Sequence, residues 1–176
     1  MHRRLIAIAT LGAAIFALAG VALADSTNER LAAKQATAAF TQLAKAKAGG
    51  YTLELKTTPA NGAKSCITDP AAGGMGVHMV NATLLDGAIK LRSPEALVYE
   101  PRGGSLRLVA LEYVVDKKAW HDAGNTKAPK LFGRQFGLTT KNPFGLKPFY
   151  ALHAWIWKKN PAGWLQPWNP SVSCPS

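Results

Sequence analysis

Two histidines and one glutamate fall at positions of predicted strands that should face the protein interior. The apolar residues in phase with Glu112 are Leu106, Leu108, Ala110 and Val114. His153 is in phase with Phe149, Ala151, Trp155 and Trp157. His78 is in phase with Val80. A buried carboxylate is strongly disfavoured unless it is paired, hydrogen-bonded or bound to a metal. We therefore expect Glu112 to have a partner, with His78 or His153 as the first candidates.

If the three strands bring these side chains together, the result is a two-histidine, one-carboxylate set with open coordination positions. Its nitrogen and oxygen ligands suit a divalent transition metal such as zinc, iron, copper or manganese. Two other interpretations stay open. The same groups could form a metal-free pocket for a small molecule, or Glu112 could make a structural pair with Arg107, Arg134 or a lysine.

Recognisable catalytic patterns are absent from the sequence. There is no H-x-H or H-E-x-x-H arrangement for a metal, and no G-x-S-x-G turn for a nucleophilic serine. The remaining histidine of the mature region, His121, is expected to be exposed. The two cysteines, Cys66 and Cys174, are too far apart in sequence for a C-x-x-C redox pair, and we predict that they form a disulfide, with two buried thiols as the alternative.

Four of the five tryptophans lie between positions 155 and 168. Trp155 and Trp157 alternate within a predicted strand and are expected in the core. Trp164 and Trp168 lie among glycine and proline residues, and we predict that they rim a cleft.

The elements that must position these residues are mixed. Ser26-Thr27-Asn28-Glu29 resembles a capping box, and apolar residues then recur at helical spacing until Gly49-Gly50, which predicts one helix. Strands are predicted at 51–56, 76–81, 95–99, 106–115 and 149–157, and loops at 57–74 and 116–148. This pattern indicates an α+β fold, with an N-terminal helix packed on a curved antiparallel sheet of five or six strands. A closed β-barrel or a sandwich is the alternative.

The N-terminal segment has the features of a cleavable export signal. Arg3 and Arg4 precede a charge-free run that ends in Ala22-Leu23-Ala24. We predict a signal peptide over 1–24 and one globular domain over 25–176, secreted or periplasmic, without a membrane span after processing. A transmembrane anchor is the alternative for 1–24.

The net charge of the chain is +11, and removal of Arg3 and Arg4 with the signal peptide lowers it to +9. Such a charge favours anionic partners such as an envelope surface, although it also serves solubility. The basic residues are scattered, without a long run, and nucleic acid is not an expected partner.

Several stretches resemble a group of uncharacterised secreted bacterial proteins that has no assigned activity. They are Gly73–Asn81, Pro94–Pro101, Leu108–Val114, Leu152–Lys158 and Trp168–Cys174. The resemblance implies export and paired cysteines, and it assigns no catalytic residue.

Together these features favour an exported protein that binds a small ligand or an envelope surface through a polar cleft. The alternative is a metal-dependent enzyme that uses His78, Glu112 and His153.

Overall fold

The computed structural model describes residues 26–174. The predicted signal peptide, 1–24, lies outside the described residues, so export and cleavage after Ala24 stay predictions. Three α-helices are present: α1 over 26–36, α2 at Leu43–Ala48 and α3 at Lys117–Asp122. The predicted single N-terminal helix is broken between α1 and α2 by a 3-10 turn, Ala38–Thr41. At the break the buried Thr37 hydroxyl donates to the Ala33 carbonyl, 2.9 Å away, and accepts from Trp157 Nε1 at 3.3 Å.

The described part of the chain contains nine strands, numbered here in chain order. They are β1 (Leu53–Glu54), β2 (Cys66–Asp69), β3 (Gly73–Val80), β4 (Ala96–Arg102), β5 (Ser105–Asp116), β6 (Lys130–Leu131), β7 (Arg134–Gln135), β8 (Gly137–Thr139) and β9 (Phe149–Ala154). Seven of them form one sheet in the order β1-β3-β4-β5-β9-β8, in which β2 also pairs with β3. All pairings in this sheet are antiparallel. The predicted α+β class is confirmed, and the sheet is not closed into a barrel.

One face of the sheet, here called the helix face, holds the main core. Side chains from the central strands pack there against Ala33 of α1 and Ala46 of α2. The strand residues that form this layer include Met79, Leu97, Tyr99, Leu111, Tyr113 and Leu152. Tyr99 and Tyr113 are fully buried, and their hydroxyls donate to the carbonyls of Phe40 and Leu91 at 2.7 Å. Aromatic bulk is thereby buried without leaving a polar atom unpaired.

The opposite face, here called the cleft face, is partly covered by the C-terminal segment. Gly74 and Asn169 exchange backbone hydrogen bonds of 3.1 and 3.0 Å. The Asn169 side chain is fully buried, donates to the Lys159 carbonyl and accepts from the Ser171 amide. Val172 then packs with Trp155 and with cleft-face residues of β4 and β5. A disulfide joins Cys66 of β2 to Cys174, as predicted.

The two predicted loops contain more regular structure than the sequence indicates. The segment 57–74 includes β2, and the segment 116–148 includes α3, the β6–β7 hairpin and the edge strand β8. These elements are short and rich in turn residues, and β2 and β8 are strands because β3 and β9 supply hydrogen-bond partners. The β-propensity of these short segments alone does not indicate that such partners will be present. Among residues 26–174, no helix is long and apolar enough to cross a membrane.

The disulfide should contribute strongly to stability, because it links positions separated by 108 residues. We predict that the double variant Cys66→Ser/Cys174→Ser unfolds with a free energy lower by roughly 2–5 kcal/mol. Denaturant titration of the oxidised wild type and the variant measures this difference. Wild type held in reducing agent serves as the control and should match the variant. Equal stability of the oxidised wild type and the variant would contradict the prediction.

The close approach at Gly74 should also be sensitive to substitution. A Cβ at this position would lie 2.7 Å from the Val172 carbonyl oxygen, whereas a Cβ at Gly137 of β8 would meet nothing closer than 3.9 Å. We predict that Gly74→Ala lowers the melting temperature, while the matched control Gly137→Ala leaves it unchanged or raises it slightly. If both variants melt alike, the C-terminal segment does not pack closely on β3.

Candidate functional site

The strand register brings the predicted site residues to the cleft face. His153 of β9 lies directly opposite Glu112 of β5, and Glu112 lies opposite Ala96 of β4. His78 of β3 lies opposite Val98, one row further along the same face. His78 and Glu112 are therefore separated by the width of β4. The methyl group of Ala96 leaves room above β4 for the two longer side chains to meet.

The predicted phase of Glu112 is only partly correct, because Glu112 shares its face with Ala110 and Val114 but not with Leu106 and Leu108. The β4–β5 register shifts between Val98 and Tyr99, so that Val98 lies opposite Ala110 and Tyr99 opposite Leu108. This β-bulge places Leu106 and Leu108 in the helix-face core. The bulge interrupts the apolar alternation that was predicted from Leu108 to Glu112. Glu112 therefore lies on the cleft face, together with Ala110 and Val114.

Glu112 contacts both histidines. His78 Nε2 is 3.0 Å from Glu112 Oε2, a hydrogen-bonding distance, and His153 Nδ1 is 3.7 Å from Glu112 Oε1, which is an electrostatic contact only. The two rings meet edge to face, with centroids 5.5 Å apart. Both histidine side chains are 2% exposed and that of Glu112 is 15% exposed. Among the described residues, Glu112 therefore pairs with the two histidines and not with Arg107, Arg134 or a lysine, which was the alternative.

Three ring nitrogens of this cluster lack a hydrogen-bond partner among the described residues. They are Nδ1 of His78 and both nitrogens of His153, and all three are buried. Buried polar atoms in native proteins are nearly always hydrogen-bonded. Their concentration at one point of the cleft face makes this cluster the candidate functional site among the described residues.

The electrostatics of the cluster favour an ionised carboxylate beside a neutral ring. Burial by itself would raise the pKa of Glu112, but the imidazole rings of His78 and His153 outweigh that effect and hold this pKa below its ordinary value. Burial lowers the pKa of His153, and the Glu112 carboxylate opposes this only in part. An ionised carboxylate and a neutral imidazole are the forms that bind metal ions.

A cavity of about 540 Å³ opens above the cluster and is lined by all three residues. Its floor is the cleft face, and its walls come from the loop after β8 and from the C-terminal segment Leu165–Trp168. Asn142 shapes the loop, because its side-chain oxygen accepts from the Phe144 and Leu146 amides at 3.1 and 3.0 Å. The Thr58 amide donates to the Pro143 carbonyl at 2.8 Å and fixes the loop to the body of the protein.

The tryptophan predictions have a divided outcome. Trp168 lines the cavity, as predicted, whereas Trp164 does not. Trp164 packs edge to face on Phe132 and lies under the Arg30 guanidinium, beside the helix-face core. The chain reverses sides between the two residues, which sequence alone does not indicate.

His121 is not exposed as predicted. It lies in α3, half-buried, with Nδ1 2.6 Å from the Asn125 carbonyl and Nε2 3.0 Å from the Tyr150 hydroxyl. Both of its nitrogens have partners, and it stands apart from the cluster of three.

Glu95 is a cavity-lining residue that the sequence reasoning missed. Its side chain is 1% exposed, and Oε2 accepts a 2.9 Å hydrogen bond from the Val114 amide. Burial raises the pKa of Glu95 to about 7, and that hydrogen bond offsets the effect only in part. Its phase with Leu97 and Tyr99 predicts burial, but that phase belongs to the helix face, so alternation does not indicate a position at the cavity.

Comparison of the chain with models of known protein families, with curated proteins and with solved structures finds no match. The resemblance to secreted bacterial proteins therefore stays a prediction, and no residue receives a role from a relative. The functional proposal therefore rests on the geometry of the cleft face.

The raised pKa of Glu95 predicts a pH dependence of folding. Between about pH 4.5, its ordinary value, and about 7, the folded chain keeps a proton that the unfolded chain has lost, so stability falls as pH rises through this window. We predict that Glu95→Gln, which keeps an acceptor for the Val114 amide, removes roughly 2–3 kcal/mol of this pH-dependent loss. Denaturant unfolding from pH 4 to 8 measures it. The two proteins should have similar stability at the acid end, and parallel curves across the whole range would contradict the prediction.

Proposed function

We propose that the protein binds a small, largely apolar molecule carrying one polar group. The molecule occupies the cavity, and its polar group contacts the rings of His78 and His153. The observation that carries the proposal is the position of unpartnered, buried ring nitrogens at the base of a mainly apolar cavity. Small-molecule sites typically combine apolar walls with a few converging polar groups.

The apolar walls support this interpretation. Five leucines of the described residues are notably exposed, between 46% and 54%, and four of them line the cavity. These four are Leu53, Leu85, Leu138 and Leu146. Exposed apolar side chains that cluster around a cavity, rather than lying singly on the surface, are typical of binding sites.

The size of the cavity supports a ligand of metabolite or short acyl-chain dimensions. Its volume of about 540 Å³ lies within the range of roughly 300–1,000 Å³ that is common for small-molecule pockets. A polymer or a protein surface would need a longer groove.

Two cations, Arg134 and Lys141, also line the cavity and are exposed. Positive charge at a cavity entrance raises the local concentration of anions. We therefore favour a ligand whose polar group is a carboxylate or a similar oxyanion. The positive net charge of the chain acts in the same direction.

The place of action in this proposal is outside the cytoplasm. Disulfides persist in oxidising compartments, and the Cys66–Cys174 bridge is of that kind. The predicted signal peptide supports the same location. Docking on an anionic envelope surface rests on net charge alone, so we place the ligand in the cavity.

The test uses decanoate and the fluorescent probe anilinonaphthalene sulfonate, both apolar anions, with the mature folded protein. We expect saturable binding at one site, with decanoate displacing the probe. The double variant Leu138→Ser/Leu146→Ser should bind roughly 10–30-fold more weakly, because each leucine loses about half a side chain of apolar burial in the complex. Fluorescence titration and calorimetry measure the affinities.

Leu31→Ser is the matched control, because Leu31 is 54% exposed and does not line the cavity. Its affinity for both probes should equal that of wild type. Absence of saturable binding to the folded wild type would overturn the proposal. An equal loss in Leu31→Ser would show that the probes bind elsewhere and would overturn it as well.

A further inference from the structure

We infer that His78, Glu112 and His153 hold one divalent transition metal ion at the base of the cavity. This inference deepens the proposed function and rests on it for the identity of the cavity ligand. Each residue offers one ligand atom, and the three atoms lie within 4.8 Å of one another. Each comes from a different strand of one sheet, so the backbone positions are held by the sheet hydrogen bonds.

The distances are close to those of a metal site. Ligands about 2.1 Å from a tetrahedral ion lie ~3.4 Å from one another. The contact from His78 Nε2 to Glu112 Oε2 is already 3.0 Å, and that from His153 Nδ1 to Glu112 Oε1 is 3.7 Å. The widest-spaced ligand atoms lie within 4.8 Å of each other, so binding of one ion requires that pair to approach by no more than about 1.4 Å.

The chemistry of the three groups favours a cation over an organic donor. Glu112 carries a negative charge in a largely apolar setting, and such a charge requires compensation. Both nitrogens of His153 lack a hydrogen-bond partner among the described residues, as does Nδ1 of His78. One ion with two positive charges, bound through His78 Nε2 and one nitrogen of His153, neutralises the carboxylate and gives that His153 nitrogen its missing partner. An uncharged ligand can do only part of this.

The site would keep open coordination positions toward the cavity. Three protein ligands leave at least one position for water or ligand on a four-coordinate ion. The surrounding walls are mainly apolar, so an oxyanion of the cavity ligand is the natural donor for that position. The class of ligand is then an apolar molecule whose carboxylate coordinates the ion. Two imidazoles and a carboxylate suit zinc, iron(II) or cobalt(II).

The experiment uses the mature protein produced without a histidine tag, stripped with a chelator and titrated with Co²⁺ or Zn²⁺ alone. We expect one equivalent to bind, with visible Co²⁺ absorption bands that change when decanoate is added. Glu112→Gln keeps the shape of the side chain and should weaken metal binding more than about 100-fold, since loss of a ligand exceeds the cost of losing a hydrogen-bond partner of a ligand. His153→Gln is the second variant, and circular dichroism confirms that each is folded.

His121→Gln is the matched control, because it removes a histidine outside the cluster and should leave Co²⁺ affinity unchanged. Failure of the folded wild type to bind either metal would overturn the inference. So would metal binding that survives in both Glu112→Gln and His153→Gln, or that is lost equally in His121→Gln. If the metal-free protein still binds decanoate, the proposed function stands while the metal site falls. If metal binds and decanoate does not, the metal site stands and the proposed ligand falls.

Discussion

The backbone contact between Gly74 and Asn169 is the constraint on which the cleft face depends. It seats the C-terminal segment on β3, and the disulfide between Cys66 and Cys174 holds the same segment a few residues later. Val172 and Trp155 then seal one part of the face as a second apolar core. The remaining part of the cleft face is a cavity rather than an open surface, because the segment Leu165–Trp168 lines one side of it. A glycine at 74 is required there, since a Cβ would collide with the backbone of Val172 in the C-terminal segment.

The polar cluster lies on rigid elements rather than on loops. Three neighbouring long strands and β9 supply its residues and the small Ala96 between them, so its geometry follows from the register of the sheet. The bulge at Val109 matters here, because it keeps Leu108 in the helix-face core while leaving Glu112 on the cleft face. Strand-borne groups are held more precisely than loop-borne ones, as a site for a small ligand or an ion requires.

The buried carboxylates divide into distinct environments. Glu112 lies between two imidazoles and stays ionised, while Glu95 is compensated mainly by one amide and has a raised pKa. Glu100 pairs with Lys158, 2.6 Å away. Only Glu112 and Glu95 line the cavity. Glu112 is therefore the ionised carboxylate of the cavity, whereas Glu95, with a pKa of about 7, is partly protonated at neutral pH.

The sequence by itself determined the α+β class, the cysteine pairing, and the polar residues that had to be explained, because periodicity and buried charge are local signals. It also indicated the strands that carry His78, Glu112 and His153. Only the tertiary structure decided that these three meet, since the order β3-β4-β5-β9 and the bulge are properties of strand pairing over long sequence separations. The short strands β2 and β8, the break between α1 and α2, and the separation of Trp164 from Trp168 were missed for the same reason. Each depends on a partner distant in the chain, and local propensity does not encode which partner will be there.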